Sequence, residues 1–299
     1  MTELRKRMLE DMQLRNYSPE SQRSYIDAVA RFARYFNKSP EKLGAEEIRS
    51  YQLYLLKEKK IGWSTLGLNF CALEFLYTKT LGQPWVVEKA ANPKVPKPLP
   101  LVLSREEVVR VLDLTANLKH RAFLATLYST GARAAEARLF RVEDIDSQRM
   151  LVFIRHGKGG QQRYVMLSTQ LLEILRAYWR WRKPQEWLFP SARFADRPLD
   201  FSSIRKMCKE AGERAGLGKC LHPHALRHTT ATHLLRAGVD INTVRAWLGH
   251  VSLDTTNIYA EIDLETKAKA LAKCDVGDAS KPKPRWRDDP GVMAFLRSL

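Results

Sequence analysis

The chain has 299 residues, 44% hydrophobic and 28% charged, which predicts a globular protein of about two domains, each able to bury its own core. No apolar run approaches the roughly 18 residues of a membrane helix, and no secretory core follows Met1, so the expected home is the cytoplasm and the expected partners exclude membrane. Fifty Lys and Arg against 33 Asp and Glu leave a formal charge of +17, the electrostatic footprint of a polyphosphate such as nucleic acid. Both parts of the chain share it: residues 1–98 carry 17 basic and 11 acidic side chains, the remainder 33 and 22. Cys71, Cys208, Cys220 and Cys274 form no C-x-x-C pair, which predicts buried thiols and neither a zinc ribbon nor a redox dithiol.

In chain order, a short helix is expected over Leu4–Gln13. Ser18-Pro19 is a cap followed by a first-turn proline, after which Tyr25, Val29, Phe32 and Phe36 recur at helical spacing. Ile48, Tyr51 and Leu55 mark the next helix. Leu66, Phe70, Leu73 and Tyr77 mark another, with Ser64 as its expected cap. Residues 1–90 therefore read as a small helical domain without clustered histidines or paired carboxylates, suited to gripping a partner. The proline-rich stretch of residues 91–100, Asn92 to Pro100 at its clearest, reads as an extended linker.

Residues 101–275 read as a second domain. Ser104 with Glu107 forms a capping box. Lys119 to Ser129 is helical with Gly131 as its stop. Leu151–Ile154 and Tyr164–Leu167 are β-rich runs flanking the glycine-rich tip Gly157-Lys158-Gly159-Gly160. Further helices are expected over Ser168–Arg182, Ser202–Ala215, Pro223–Ala237, Ile241–Leu248 and Leu253–Ile262, with Gly238 and Gly249 as stops. The fold class is therefore mainly α with a small antiparallel β-sheet. In the tail, residues 276–299, a basic connector precedes an apolar face of Val292, Phe295, Leu296 and Leu299, which must dock on its own core or on a neighbouring subunit.

Chemistry concentrates in the second domain. His224 and Arg227 stand three apart on one helix and so share a face. A guanidinium fork matches phosphate oxygens, and an imidazole moves protons near neutral pH. By itself such a pair reads more readily as a surface or core feature than as a site. His224 and His228 stand at i, i+4, but without the Glu of H-E-x-x-H or a third ligand they are not read as a metal site. Arg133 follows the Gly131 turn, Lys158 sits at the hairpin tip, and Leu248-Gly249-His250 precedes Thr255-Thr256-Asn257-Ile258-Tyr259.

This order of Arg, Lys, His-x-x-Arg, His and Tyr resembles the tyrosine site-specific recombinases, the phage-integrase family, over residues 101–265, and the first domain resembles that family's core-binding domain. The resemblance implies that Arg133 and Arg227 clamp the non-bridging oxygens of a scissile phosphate. It implies further that Lys158 protonates the departing 5′ oxygen, that His224 moves protons, and that His250 hydrogen-bonds the phosphate. Tyr259 matches the nucleophile, and Glu136 an acidic group that orients the first arginine. His222, His228 and His233 match no catalytic position and read as structural or as contacts to the DNA backbone. Ala132 stands where relatives commonly have Leu, a change expected to affect packing more than chemistry. The implied partner is double-stranded DNA, bound by a homotetramer on two duplexes. No metal, cofactor or small-molecule substrate is implied, because a phosphotyrosyl link conserves the energy of the broken ester. The chemistry would also suit a type IB topoisomerase relaxing DNA, and the charge alone would suit a non-catalytic DNA-binding accessory protein.

Overall fold

The computed structural model describes residues 2–85, 87, 100–155, 157 and 161–249. Lys158, His250, Tyr259, Cys274, the expected helix Leu253–Ile262, most of the linker 91–100 and the tail lie outside the described residues. The chain packs as two compact units, Met1–Lys97 and Pro98–Leu299.

In the first unit, α1 (Glu3–Leu14), α2 (Pro19–Phe36), α3 (Ala45–Lys57) and α4 (Trp63–Phe75) enclose Met8, Met12, Ile26, Phe32, Ile48, Tyr51, Leu66 and Leu73. Ser18 caps α2 by accepting from the Ser21 amide at 3.2 Å, ahead of Pro19, whose missing N–H would be unpaired there in any case. The expected Ser64 cap is not present. Gly62 occupies the N-cap of α4 without a side-chain bond, and Ser64 is already helical, so its hydroxyl stands past the first unpaired amides. Tyr77 falls in a π-helical turn, Leu76–Thr80, that continues α4. Its buried hydroxyl contacts the Pro40 and Leu43 carbonyls at 2.8 and 2.9 Å, which fixes the connection between α2 and α3.

In the second unit, α5 (Arg105–Asp113) starts at the Ser104 capping box and α6 (Leu118–Thr130) at the Asn117 cap. Every residue of α6 from Ala122 to Leu127 is buried, because the helix runs through the middle of the unit against α8 (Thr169–Arg182) and α10 (Pro223–Arg236). A short turn, α7 (Ala134–Ala137), leads to an antiparallel sheet ordered β1 (Ile145–Asp146), β2 (Leu151–Ile154) and β3 (Arg163–Met166). β1 is a strand the sequence pattern did not reveal, two residues being too few to show alternation. Val152 pairs with Val165 and Ile154 with Arg163, so this face meets the core, while Phe153 and Tyr164 stack on the other face at 4.8 Å.

The rest of the unit is α9 (Phe201–Arg214) and α11 (Ile241–Leu248). α10 buries polar groups alongside Leu226 and Ala231. Its threonines make this tolerable: Thr229, Thr230 and Thr232 donate to the carbonyls four residues back at 2.8, 2.9 and 3.0 Å. Among the described residues no helix is long and apolar enough to cross a membrane. Among the described cysteines, the expectation of buried thiols holds for Cys208 alone. Cys71 is half-buried and Cys220 exposed, the latter lying in the loop before α10, where no element covers it.

Candidate active site

Three chain reversals bring the site together. At the end of α6, Gly131 adopts φ +63°, which a side chain would strain, and a Cβ there would lie 2.6 Å from Leu248 Cδ2. The tight turn delivers Arg133 to the N-cap of α7, with Glu136 one turn on. The Glu136 carboxylate accepts from the Arg133 amide at 2.9 Å and from Arg133 Nη1 at 2.8 Å, so one acid fixes both the backbone and the side chain of that arginine.

The second reversal is the entry to α10. His222 caps the helix, its Nδ1 accepting from the Ala225 amide at 3.1 Å, and Pro223 occupies the first turn. His224 is exposed on that turn, and Arg227, one turn on, is 3% exposed. The third is the end of α11, where Gly249 turns the chain at φ +64°.

These reversals meet. Arg227 Nη1 donates to the Gly131 carbonyl at 2.5 Å and Nη2 to the Leu248 carbonyl at 2.6 Å, while Arg133 Nη2 donates to the Gly249 carbonyl at 3.3 Å. Two guanidinium groups therefore converge on consecutive carbonyls at the negative end of α11, immediately before His250 in the chain. Such a pair suits an oxyanion that gains charge, since both cations are held in place before the charge develops. Of the expected site residues, Arg133, Glu136, His224 and Arg227 are placed here; Lys158, His250 and Tyr259 lie outside the described residues.

Burial, neighbouring charge and hydrogen bonds together set the protonation states. Partial desolvation, then the charges of Arg227, His222 and Arg133, hold the His224 imidazole below its ordinary range, leaving it neutral and able to exchange a proton at pH 7. His228, one turn further along α10 with its ring 6.4 Å from that of His224, is pushed down to about 4 by burial and then by His224, His222 and Arg227. His233 is structural: Nε2 bonds the Leu103 carbonyl at 3.0 Å and Nδ1 meets the Tyr128 hydroxyl at 2.9 Å. Burial alone would raise the Glu136 carboxyl, but hydrogen bonds from Arg163 and from Arg133 outweigh it and hold the group below its usual range.

Arg163 was not singled out from the sequence. Its signal is faint: on β3 it alternates with Tyr164 and so shares the inward face of Val165, an unusual place for an arginine without a partner. Among the described residues no three His, Cys, Asp or Glu side chains gather as a metal site.

Residues 102–265 match the model described as the phage integrase family, and residues 4–86 that of the phage integrase N-terminal SAM-like domain. A putative integrase/recombinase of Sinorhizobium fredii is 48% identical over 88% of this chain and 85% of its own length. The tyrosine recombinase XerA of Pyrococcus horikoshii is 32% identical over 83% of this chain and 87% of its own. Among solved structures, the XerH recombinase bound to its difH substrate superposes with a TM-score of 0.67 at 22% identity, covering 88% of this chain and 82% of that one, a likeness of fold.

Proposed function

Because the chain belongs to the phage integrase family, the tyrosine recombinases, we propose that it cuts and rejoins duplex DNA at specific sites through a phosphotyrosyl intermediate on Tyr259. The observation that carries this reading is the convergence of Arg133 and Arg227 on the Leu248 and Gly249 carbonyls, which aims two guanidinium groups at the chain segment leading to His250. In the reaction the Tyr259 oxygen attacks the scissile phosphorus, a new phosphorus–oxygen bond forms, and the bond to the 5′ oxygen breaks. Arg133 and Arg227 offset the charge that grows on the non-bridging oxygens. His224, neutral at working pH, assists the proton transfers, His250 hydrogen-bonds the phosphate, and Lys158 delivers the proton to the departing 5′ oxygen. Attack by the freed 5′ hydroxyl of a partner strand reverses the step and restores Tyr259. No external energy source is required, because the ester bond energy is retained in the covalent link.

Residues 1–90 also grip the duplex, joined through the linker 91–100 to the catalytic domain 101–275. Four copies assemble on two duplexes in the cytoplasm, and the tail beyond residue 275 links neighbours. The +17 charge supports a grip dominated by phosphate contacts, with affinity that falls steeply as salt rises.

The test is adduct formation. A duplex selected from a random-sequence pool for binding, nicked so that religation is impossible, is incubated with the full chain. A denaturation-resistant protein–DNA adduct forms with the natural sequence and disappears in Tyr259→Phe. An adduct of undiminished yield in that variant, or none from the natural sequence on a duplex it binds, overturns the reading.

A further inference from the structure

Arg163 occupies the junction of three elements. Its Nη2 donates to Glu136 Oε2 at 2.8 Å and its Nη1 to Oε1 at 3.4 Å, forming a fork on the carboxylate, while its Nε donates to the Trp247 carbonyl at 2.9 Å. The side chain is 10% exposed and its acidic partner 2%. The guanidinium also passes so close to the α11 terminus that a Cβ on Gly249 would lie 3.0 Å from Nη1. Strand β3, the α7 turn and the end of α11 are thus tied through one side chain. A fixed fork of five donors can do this, and an ammonium cannot.

The consequence for Arg133 follows from how the carboxylate is shared. Glu136 accepts from the Arg133 amide on Oε2 and from Arg133 Nη1 on Oε1, while Arg163 engages both oxygens as well. With the carboxylate so occupied, the Arg133 side chain contacts it through one nitrogen, and Nη2 remains directed at the Gly249 carbonyl, beside Arg227. Without Arg163 a buried carboxylate would face Arg133 as its one remaining cationic partner in this cluster. The favoured arrangement would then be a two-nitrogen fork that rotates Nη2 away from Gly249.

We propose that Arg163 is a positioning residue for the reaction, acting through Glu136 to keep Arg133 aimed at the scissile phosphate; this rests on the recombinase reading above. Arg163 does not touch the phosphate. Its loss weakens the stabilisation of charge on a non-bridging oxygen and leaves protonation of the leaving group intact.

That distinction sets the experiment. Single-turnover cleavage by the 299-residue chain of natural sequence, by Arg163→Met and by Arg163→Lys is compared on three nicked duplexes. One carries the ordinary phosphate. The second carries a methylphosphonate, in which a neutral methyl group replaces one charged oxygen. The third has a bridging sulfur in place of the 5′ oxygen, a leaving group that needs no proton. On the ordinary phosphate R163M cleaves about 100-fold more slowly, the scale of a misplaced oxyanion donor, with duplex affinity within about 3-fold of the natural sequence, since phosphate contacts elsewhere set affinity. R163K, which keeps the charge and loses the fork, falls between the two. The deficit shrinks to less than about 10-fold on the methylphosphonate, where less charge needs offsetting, and persists on the bridging-sulfur duplex. A deficit of equal size on all three duplexes indicates general disruption and overturns the proposal, as does no deficit. Rescue by sulfur alone also overturns it, by assigning the effect to proton delivery. If R163M does not fold, R163K is read by the same three ratios. Absence of any adduct from the natural sequence on the ordinary phosphate refutes the recombinase reading itself, and an adduct there with no effect of Arg163 refutes the positioning role alone.

Discussion

Replacing Glu136 with glutamine removes one charge and leaves the shape nearly unchanged, which makes it the sharpest probe of the arginine cluster. The carboxylate is 2% exposed and draws on the Arg133 amide and guanidinium and on Arg163. Breaking a buried ion pair by neutralising one partner costs about 3–5 kcal/mol. Arg133 is 21% exposed and can be partly rehydrated, and the glutamine oxygen keeps one or two of the bonds. We therefore expect the low end, about 3 kcal/mol at pH 7. The pH dependence follows from the depressed Glu136 carboxyl. A group whose folded value lies below its unfolded value of about 4.3 stabilises the fold above that pH and loses its contribution as pH falls through the folded value. The gap between the natural sequence and Glu136→Gln should thus be constant from pH 7 to about 5 and close in stronger acid. Urea titrations of the full chain followed by tryptophan fluorescence, repeated down the pH scale until the fold is lost, measure it. A gap below about 1 kcal/mol at pH 7 would refute the view that the carboxylate is held by two cations, since even one charged hydrogen bond exceeds that. So would a gap that survives undiminished through the acid range.

Gly131→Ala combines a left-handed backbone angle with a Cβ placed 2.6 Å from Leu248 Cδ2, so it should destabilise the second unit by about 2–4 kcal/mol in the same urea assay; a variant as stable as the natural sequence would mean the α6 terminus readily shifts. His228, pushed down to about 4 by burial and by the neighbouring His224, His222 and Arg227, stays neutral in the folded chain while the unfolded chain takes up a proton. Stability should therefore fall as pH drops from about 6.5 towards 4, by up to about 2 kcal/mol after allowing for its partial exposure. His228→Gln should flatten that slope, and an unchanged slope would assign it to other groups.

Much of the architecture is readable from local pattern. α2, α5, α8 and α11 carry apolar residues on one face and begin at Ser18, Ser104, Ser168 and Asp240 caps, with Gly249 ending α11, because each buries one stripe and must satisfy its terminal groups locally. Where an element is enclosed on several sides, that logic fades. α6 and α10 bury residues all round, so their periodicity blurs, and β1 is too short to alternate. The Ser64 signal falls at the second residue of α4 for a different reason: hydroxyl side chains mark helix starts only to within a residue or two.

For the site, the order of residue types along the chain, from Arg133 through His224 and Arg227, is enough to suggest phosphoryl chemistry, since order and spacing are properties of the chain itself. How those side chains are held is a different matter. Arg227 against Gly131 and Leu248, Arg133 against Gly249, and Arg163 across to Glu136 are contacts between positions 21 to 116 residues apart in the chain. Such contacts depend on where three chain reversals bring backbone carbonyls to rest. A one-dimensional pattern carries no record of which buried carboxylate an arginine will meet, because that pairing follows from packing once the core has closed.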